Sequence, residues 1–286
     1  MGREGPLTLG RIDYANAWPL FHHLDGYAGE AGVRIVSRVP AELNRALREG
    51  ETDISAISSF AYAQNSEDYL LLPDLSVSSV GRVNSILLFM KRPLEQVKNG
   101  RIALTTASAT SVNLLKIIMA KYAEGQPQYE RAEPDLDSML ENADAALLIG
   151  DPAIRASWSA GKLHVLDLGE LWHRWTGLGM TYAVVAVRKE AAARWPQAIA
   201  SLLQAMRESK RLSLGNPQAL IDHACRTIGG EPGYWARYFT ELRYDFGPMQ
   251  QQGLALYFRL ARQLGLLERD VHMEFFSEQS ALQVNE

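Results

Sequence analysis

Four times along this chain a short apolar run ends in small polar residues that open a helix. The runs are Ile12-Asp13-Tyr14-Ala15-Asn16-Ala17-Trp18-Pro19, Ile54-Ser55-Ala56-Ile57-Ser58-Ser59-Phe60, Ile102-Ala103-Leu104-Thr105-Thr106-Ala107-Ser108-Ala109-Thr110 and Leu147-Leu148-Ile149-Gly150-Asp151-Pro152. Strands that feed helices through short polar turns build α/β folds, and ligands there lie outside the carboxyl ends of the strands. The helix N-termini offer unpaired N–H groups and a positive dipole end. Several such ends facing one cleft suit a small anion even without a cluster of Arg or Lys.

The rest of the chain extends this alternation. Strands are predicted at 7–12, 33–39 and 53–57, helices at 40–48 and 60–65, and extended runs at 69–80 and 85–90. A second block follows, with strands at 101–105, 145–149 and 165–168 and helices at 108–122, 135–141 and 151–159. The polar connection 126–134 has room for a short strand. In the helix at 108–122, Val112, Leu115, Ile118, Met119 and Tyr122 share one face. Asp151 reads as the N-cap of its helix and Pro152 as the first helical residue. After a buried strand at 182–187, only helices are expected: 196–214, 217–228, 233–239 and 248–264. The pattern predicts two α/β lobes. One is built from 1–88 and 185–286, the other from 89–184, with strand-like hinges near 85–91 and 182–188. The terminal helices return to the first lobe, and the cleft closes on a small ligand by hinge motion.

Length and charge narrow the function. The chain has 286 residues, room for two domains and a sizeable core. Its net charge of -4 argues against a general nucleic-acid binder, which needs a basic face. No apolar run reaches the ~18 residues of a membrane span. Residues 1–11 hold no long apolar stretch of a secretory leader, so a cytoplasmic protein without a membrane partner is expected. Cys225 is the one cysteine, which excludes an internal disulfide and a cysteine-based metal site. Nothing in the sequence specifies an oligomeric state.

Each candidate site residue has a bland reading beside the functional one. Tyr14, Asn16 and Trp18 can be a helix cap with core aromatics, but the Asn16 amide can donate and accept and so hold a hydroxyl or carboxylate. One of Ser58 and Ser59 is explained as a helix cap, leaving the other hydroxyl spare. Ser85 opens a buried strand, where capping explains a polar side chain less well. The run 105–111 carries five hydroxyls in seven residues, and beyond its N-cap it forms an anion cradle from Thr106, Ser108, Ala109 and Thr110. Asp151 is explained as a cap and could also meet a substrate hydroxyl. His22 and His23 are adjacent and point apart on a helix, with no HExxH spacing, so no metal site is expected. Gly177-Leu178-Gly179 lacks the strand-before, helix-after setting of a dinucleotide loop, and there is no GxSxG and no P-loop. A cleft with amides and hydroxyls but no evident His, Lys or Glu base reads, on its own, as a binding protein.

Together these segments resemble the chorismate dehydratases. The resemblance lies in Arg11-Ile12-Asp13-Tyr14-Ala15-Asn16-Ala17-Trp18-Pro19-Leu20, Asp53-Ile54-Ser55-Ala56-Ile57-Ser58-Ser59, Pro73-Asp74-Leu75-Ser76-Val77, Val83-Asn84-Ser85, Ala107-Ser108-Ala109-Thr110-Ser111 and Ile149-Gly150-Asp151-Pro152-Ala153. It departs at Asp13-Tyr14-Ala15-Asn16, where that family usually carries Ser-Tyr-Leu-Asn. The resemblance implies a two-lobed, periplasmic-binding-protein-like fold of type II used as an enzyme of the futalosine route to menaquinone. It implies conversion of the dicarboxylate chorismate to 3-[(1-carboxyvinyl)oxy]benzoate and water, with no metal or organic cofactor. It also implies Asn16 and Ser85 as the catalytic pair. The alternatives are a cytoplasmic small-anion-binding protein or sensor and the related 1,4-dihydroxy-6-naphthoate synthase.

Overall fold

The computed structural model describes residues 5–278. In chain order their strands are β1 (Thr8–Ile12), β2 (Arg34–Arg38), β3 (Ile54–Ser58), β4 (Tyr69–Ser79), β5 (Ile86–Met90), β6 (Arg101–Thr105), β7 (Gln128–Ala132), β8 (Ala145–Ile149), β9 (His164–Asp167), β10 (Met180–Arg188) and β11 (Leu242–Arg243). They form two mixed sheets, ordered β2-β1-β3-β10-β4-β11 and β7-β6-β8-β5-β9. Every residue of β3, β5 and β8 is buried, as their near-continuous apolar runs require of strands covered on both faces. β2 and β7 carry charged residues and lie at sheet edges.

The two sheets repeat one pattern. β2-β1-β3 and β7-β6-β8 run parallel. The fourth position of each sheet is filled by an antiparallel strand, β10 in the first and β5 in the second. These two strands border the points where the chain changes sheet. Each belongs wholly to one sheet, so the chain crosses at 80–85 and 177–179, whereas the expected divisions at 88/89 and 184/185 fall inside the strands. The reason is the ladder: a buried strand paired on both sides cannot leave its sheet half-way without orphaning backbone groups.

The helix Ala109–Lys121 is wrapped more fully than a single-face pattern suggests. Leu114 and Ile117 are as buried as Leu115, Ile118 and Met119, while Tyr122 is exposed. Among the described residues four helices lie outside the predicted set, Leu24–Glu30, Leu94–Val97, Leu168–Thr176 and Lys189–Arg194, although Leu168, Leu171, Trp172 and Trp175 of the third have helical spacing. The C-terminal helices are Pro196–Gly215, Gln218–Thr227, Pro232–Glu241 and Pro248–Gln263. The expectation of helices alone after Arg188 misses β11, which pairs Leu242 and Arg243 with Ser79 and Ser78 and so extends the first sheet. The first of these helices is pinned to the β4 strand by Lys210. That lysine is buried, and its Nζ lies 2.8 Å from the Asp74 carbonyl, 2.9 Å from Asp74 Oδ2 and 2.9 Å from Asp245 Oδ1. The last helix reaches the other half of the molecule, where Tyr257 Oη donates to the Thr110 carbonyl at 3.0 Å. Among the described residues no helix is long and apolar enough to cross a membrane.

Candidate active site

The four strand ends meet two by two across the seam between the sheets. The β1 end meets the β8 end where the Ala15 N–H donates to Asp151 Oδ1 at 3.1 Å. The β3 end meets the β6 end where the Phe60 N–H donates to Thr110 Oγ1 at 3.0 Å. A cavity of about 500 Å³, whose walls include Asp13, Trp18, Asp151 and Arg155, borders the first contact. Another, of about 350 Å³, borders the second, and its walls include Phe60, Thr106, Ser108 and Ala109.

Asn16 and Ser85 each border the first contact through a chain neighbour or a backbone bond, and neither lines the two cavities. Asn16 sits in the short 3-10 helix Ala15–Ala17, one residue after the N–H that Asp151 accepts. Its Oδ1 is buried and has no hydrogen-bond partner among the described residues. Such an acceptor costs stability unless something bonds to it, so it is poised for a ligand donor. Ser85 is fully buried, and its carbonyl accepts the Gly150 N–H at 2.7 Å. Its hydroxyl donates to the Val83 carbonyl at 3.2 Å and accepts from Tyr238 Oη at 3.0 Å. Gly150 has φ +62, and a Cβ there would lie 2.6 Å from the Tyr14 ring, so Tyr14 packs directly on this turn. Burial, then Asp151 and Asp13, push the Tyr14 phenol up to about 12, which keeps it a neutral donor.

Asp151 is not the N-cap of its helix. The helix Gly150–Trp158 is capped by Ile149 without a side-chain bond, and Asp151 lies inside its first turn. Its carboxylate reaches across the seam instead, because the Ala15 N–H is the donor left open at the facing helix start. Burial raises its pKa to about 6, against the lowering effects of the Ala15 N–H and of Arg155. The remaining predicted residues occupy the second contact. Ser58 caps the helix Ser59–Gln64 by accepting from Ala61 N at 3.2 Å, and it is also bonded to Asn44. The Ser59 hydroxyl is not spare as a donor, since it donates to the Thr181 carbonyl at 2.9 Å. Ser108 caps the helix Ala109–Lys121, accepting from Ser111 N at 3.3 Å. Thr106 is exposed, and its hydroxyl donates to Glu133 at 3.3 Å. Among the described residues no three His, Cys, Asp or Glu side chains are grouped to hold a metal ion.

A family model described as menaquinone biosynthesis matches residues 7–263. The chain belongs to that menaquinone biosynthesis family. It is 38% identical to the chorismate dehydratase of Thermus thermophilus, over 91% of this chain and 96% of the relative. It is 26% identical to the 1,4-dihydroxy-6-naphtoate synthase of the same organism, over 82% of this chain and 88% of the relative. A crystal structure of an Archaeoglobus fulgidus protein superposes with a TM-score of 0.74 at 21% identity, covering 93% of this chain and all of that one. The periplasmic aliphatic sulphonate binding protein SsuA of Escherichia coli gives 0.66 at 18% identity, over 94% of this chain and 96% of its own. The fold is therefore periplasmic-binding-protein-like, here in a menaquinone biosynthesis family member.

Two residues that shape the site in this family member escaped the reading of its sequence. Tyr238 comes from the helix Pro232–Glu241, far along the chain, and no local pattern links it to Ser85. Asp167 holds the crossing in place: its buried carboxylate accepts from Val83 N at 3.1 Å, Asn84 N at 2.7 Å and Glu170 N at 3.0 Å. Asp167 did leave a signal. Asp167-Leu168-Gly169-Glu170 has the spacing of a helix start with an acidic cap.

Proposed function

We propose that this family member is a chorismate dehydratase of the futalosine route, a hydro-lyase that converts chorismate to 3-[(1-carboxyvinyl)oxy]benzoate and water. The observation that carries the reading is the fuller likeness to the Thermus dehydratase than to the naphthoate synthase. The geometry supports it through Asn16, whose buried amide oxygen has no partner among the described residues, and Ser85, whose carbonyl accepts the N–H of the residue before Asp151. On this reading the two sheets are the cores of two lobes that close on substrate.

The chemistry needs little from a protein base. The C3 proton of chorismate is vinylogous to the ring carboxylate, so charge left by its removal spreads into that group. The C4–O bond breaks, the C3–C4 double bond forms, and the ring becomes aromatic. The departing hydroxide takes up a proton and leaves as water, so atoms and charge balance. The protein has to position, desolvate and stabilise developing charge. The enolpyruvyl carboxylate of the substrate serves as base. The Asn16 amide and the Ser85 hydroxyl orient it and the departing hydroxyl. Tyr14, Ser58, Ser59, Asp151 and the segment of Thr106, Ser108, Ala109 and Thr110 complete the substrate-binding wall, where helix starts face the two carboxylates.

The deciding experiment is turnover of chorismate by the purified protein with a chelator present, followed by mass and ultraviolet spectra. Loss of one water with a benzoate-type spectrum is the expected result. Unchanged chorismate from folded protein overturns the assignment. Binding without turnover would then mark a small-anion-binding protein or sensor. Turnover of the synthase's cyclised futalosine substrate would mark the sister enzyme.

A further inference from the structure

The cavity of about 350 Å³ beside the β3–β6 contact is walled from both halves of the molecule, and its charge is one-sided. Arg45 and Arg48 enter it from the helix Pro40–Arg48 of the first half. Lys116, on the helix Ala109–Lys121, and Arg131, on β7, enter from the second. No Asp or Glu lines it. Arg45 and Arg48 lean on one carboxylate, Glu49, at 3.8 and 3.6 Å. Lys116 and Arg131 form no ion pair among the described residues. Lys116 is half-buried, 5.6 Å from the Tyr129 ring centroid, and burial together with Arg131 lowers its pKa. Like charges held together on one wall, with two more facing them, repel each other and focus a field that attracts anions.

We propose that this cavity is a phosphate site, one that takes inorganic phosphate or the phosphoryl group of a small ester or diphosphate and in doing so holds the two halves together. The cations arrive from three separate elements. A tetrahedral phosphoryl group presents oxygens in all of those directions, whereas a carboxylate presents two in one plane. The volume suits a ligand of diphosphate or nucleotide size. Because its cations are divided between the halves, the site is complete only when the seam is closed. A bound phosphate therefore favours closure. Thr106, Ser108 and Ala109 wall this cavity and also belong to the proposed substrate wall, so phosphate and chorismate compete there. Only that competition rests on the dehydratase reading; the phosphate site itself does not.

Calorimetric titration of the full chain without chorismate tests the site directly. Inorganic phosphate, pyrophosphate and adenosine monophosphate are compared at constant ionic strength. Saturable one-site binding by at least one of them is expected, weakened about tenfold or more in the Lys116→Met/Arg131→Gln double variant, as for the loss of charge-assisted hydrogen bonds. Tightest binding by pyrophosphate assigns a diphosphate, and tightest binding by the nucleotide an ester. Arg131→Gln alone, at an exposed edge position, serves if the double variant melts early. Absence of saturable binding, or binding unchanged in the variants, overturns the site. In turnover assays, phosphate is expected to raise the apparent KM for chorismate with little change in kcat. An unchanged KM overturns the competition. A chain that binds phosphate but does not turn over chorismate leaves the site standing and removes the dehydratase reading alone.

Discussion

At the scale of single residues, the buried, unpartnered amide oxygen of Asn16 is the feature that the proposed substrate contact has to repay. An acceptor buried without a partner lowers stability by about 1–3 kcal/mol, a deficit that a substrate hydroxyl can make good. Asn16→Ala is accordingly expected to melt no lower than the parent while losing about a hundredfold or more in kcat, read in paired melting and turnover assays. Tyr238 donates to the Ser85 hydroxyl, so the role proposed for it is to position Ser85. Tyr238→Phe removes the donor that faces the Ser85 hydroxyl, and it is expected to lower kcat more than it raises KM, a split that simple loosening of the core would not give. Asp151 carries a pH signature. Its folded pKa of about 6 lies above its unfolded value, so the folded state binds the extra proton between roughly pH 4 and 6. Stability from this group therefore falls as pH rises through that window and returns as pH falls. Asp151→Asn keeps an acceptor for the Ala15 N–H and removes the charge. It is expected to flatten that slope and to raise the melting temperature at pH 8. If Asp151 is only a contact across the seam, most of kcat survives; a loss above roughly a thousandfold would make it the acid or base.

At the scale of elements, local rules carried most of the fold. The strand ends, the Ser58 and Ser108 caps and the helix Pro40–Arg48 are all written in short stretches of sequence, because capping and apolar runs act over a few residues. The exceptions share one cause. Asp151 satisfied every local rule for an N-cap, yet its carboxylate found a donor on the other half of the molecule. Tyr238 and β11 are placed by packing between segments more than 150 residues apart in sequence, which no window of sequence contains. The same reasoning explains why Asn16 and Ser85 were legible as candidates while the group that orients Ser85 was not. Two substitutions test the elements themselves. Gly150→Ala places a methyl against the Tyr14 ring at a positive φ, and it is expected to cost about 1 kcal/mol or more and to raise KM, as measured by denaturant titration and kinetics. Lys210→Met strips the cation from the Asp74 and Asp245 carboxylates. Because those acids are half open to solvent, the expected loss is about 2 kcal/mol, below that of a fully enclosed pair.

At the scale of the whole molecule, strand order dictates the sequence of assembly. The second sheet is made from one continuous stretch, β5 to β9, and can close as soon as that stretch exists. The first sheet cannot. β3 and β4 are near neighbours in the chain but are separated in the sheet by β10, which arrives only at Met180. During synthesis the earlier part of the protein must therefore wait, two apolar strand edges unpaired, until the later part has been made and folded. Pulse-labelled hydrogen exchange during refolding should find β6 and β8 protected before β3. A nascent chain that has emerged from the ribosome only as far as residue 179 should hold a finished second half and an unfinished first, the natural client of a chaperone that shields open strands.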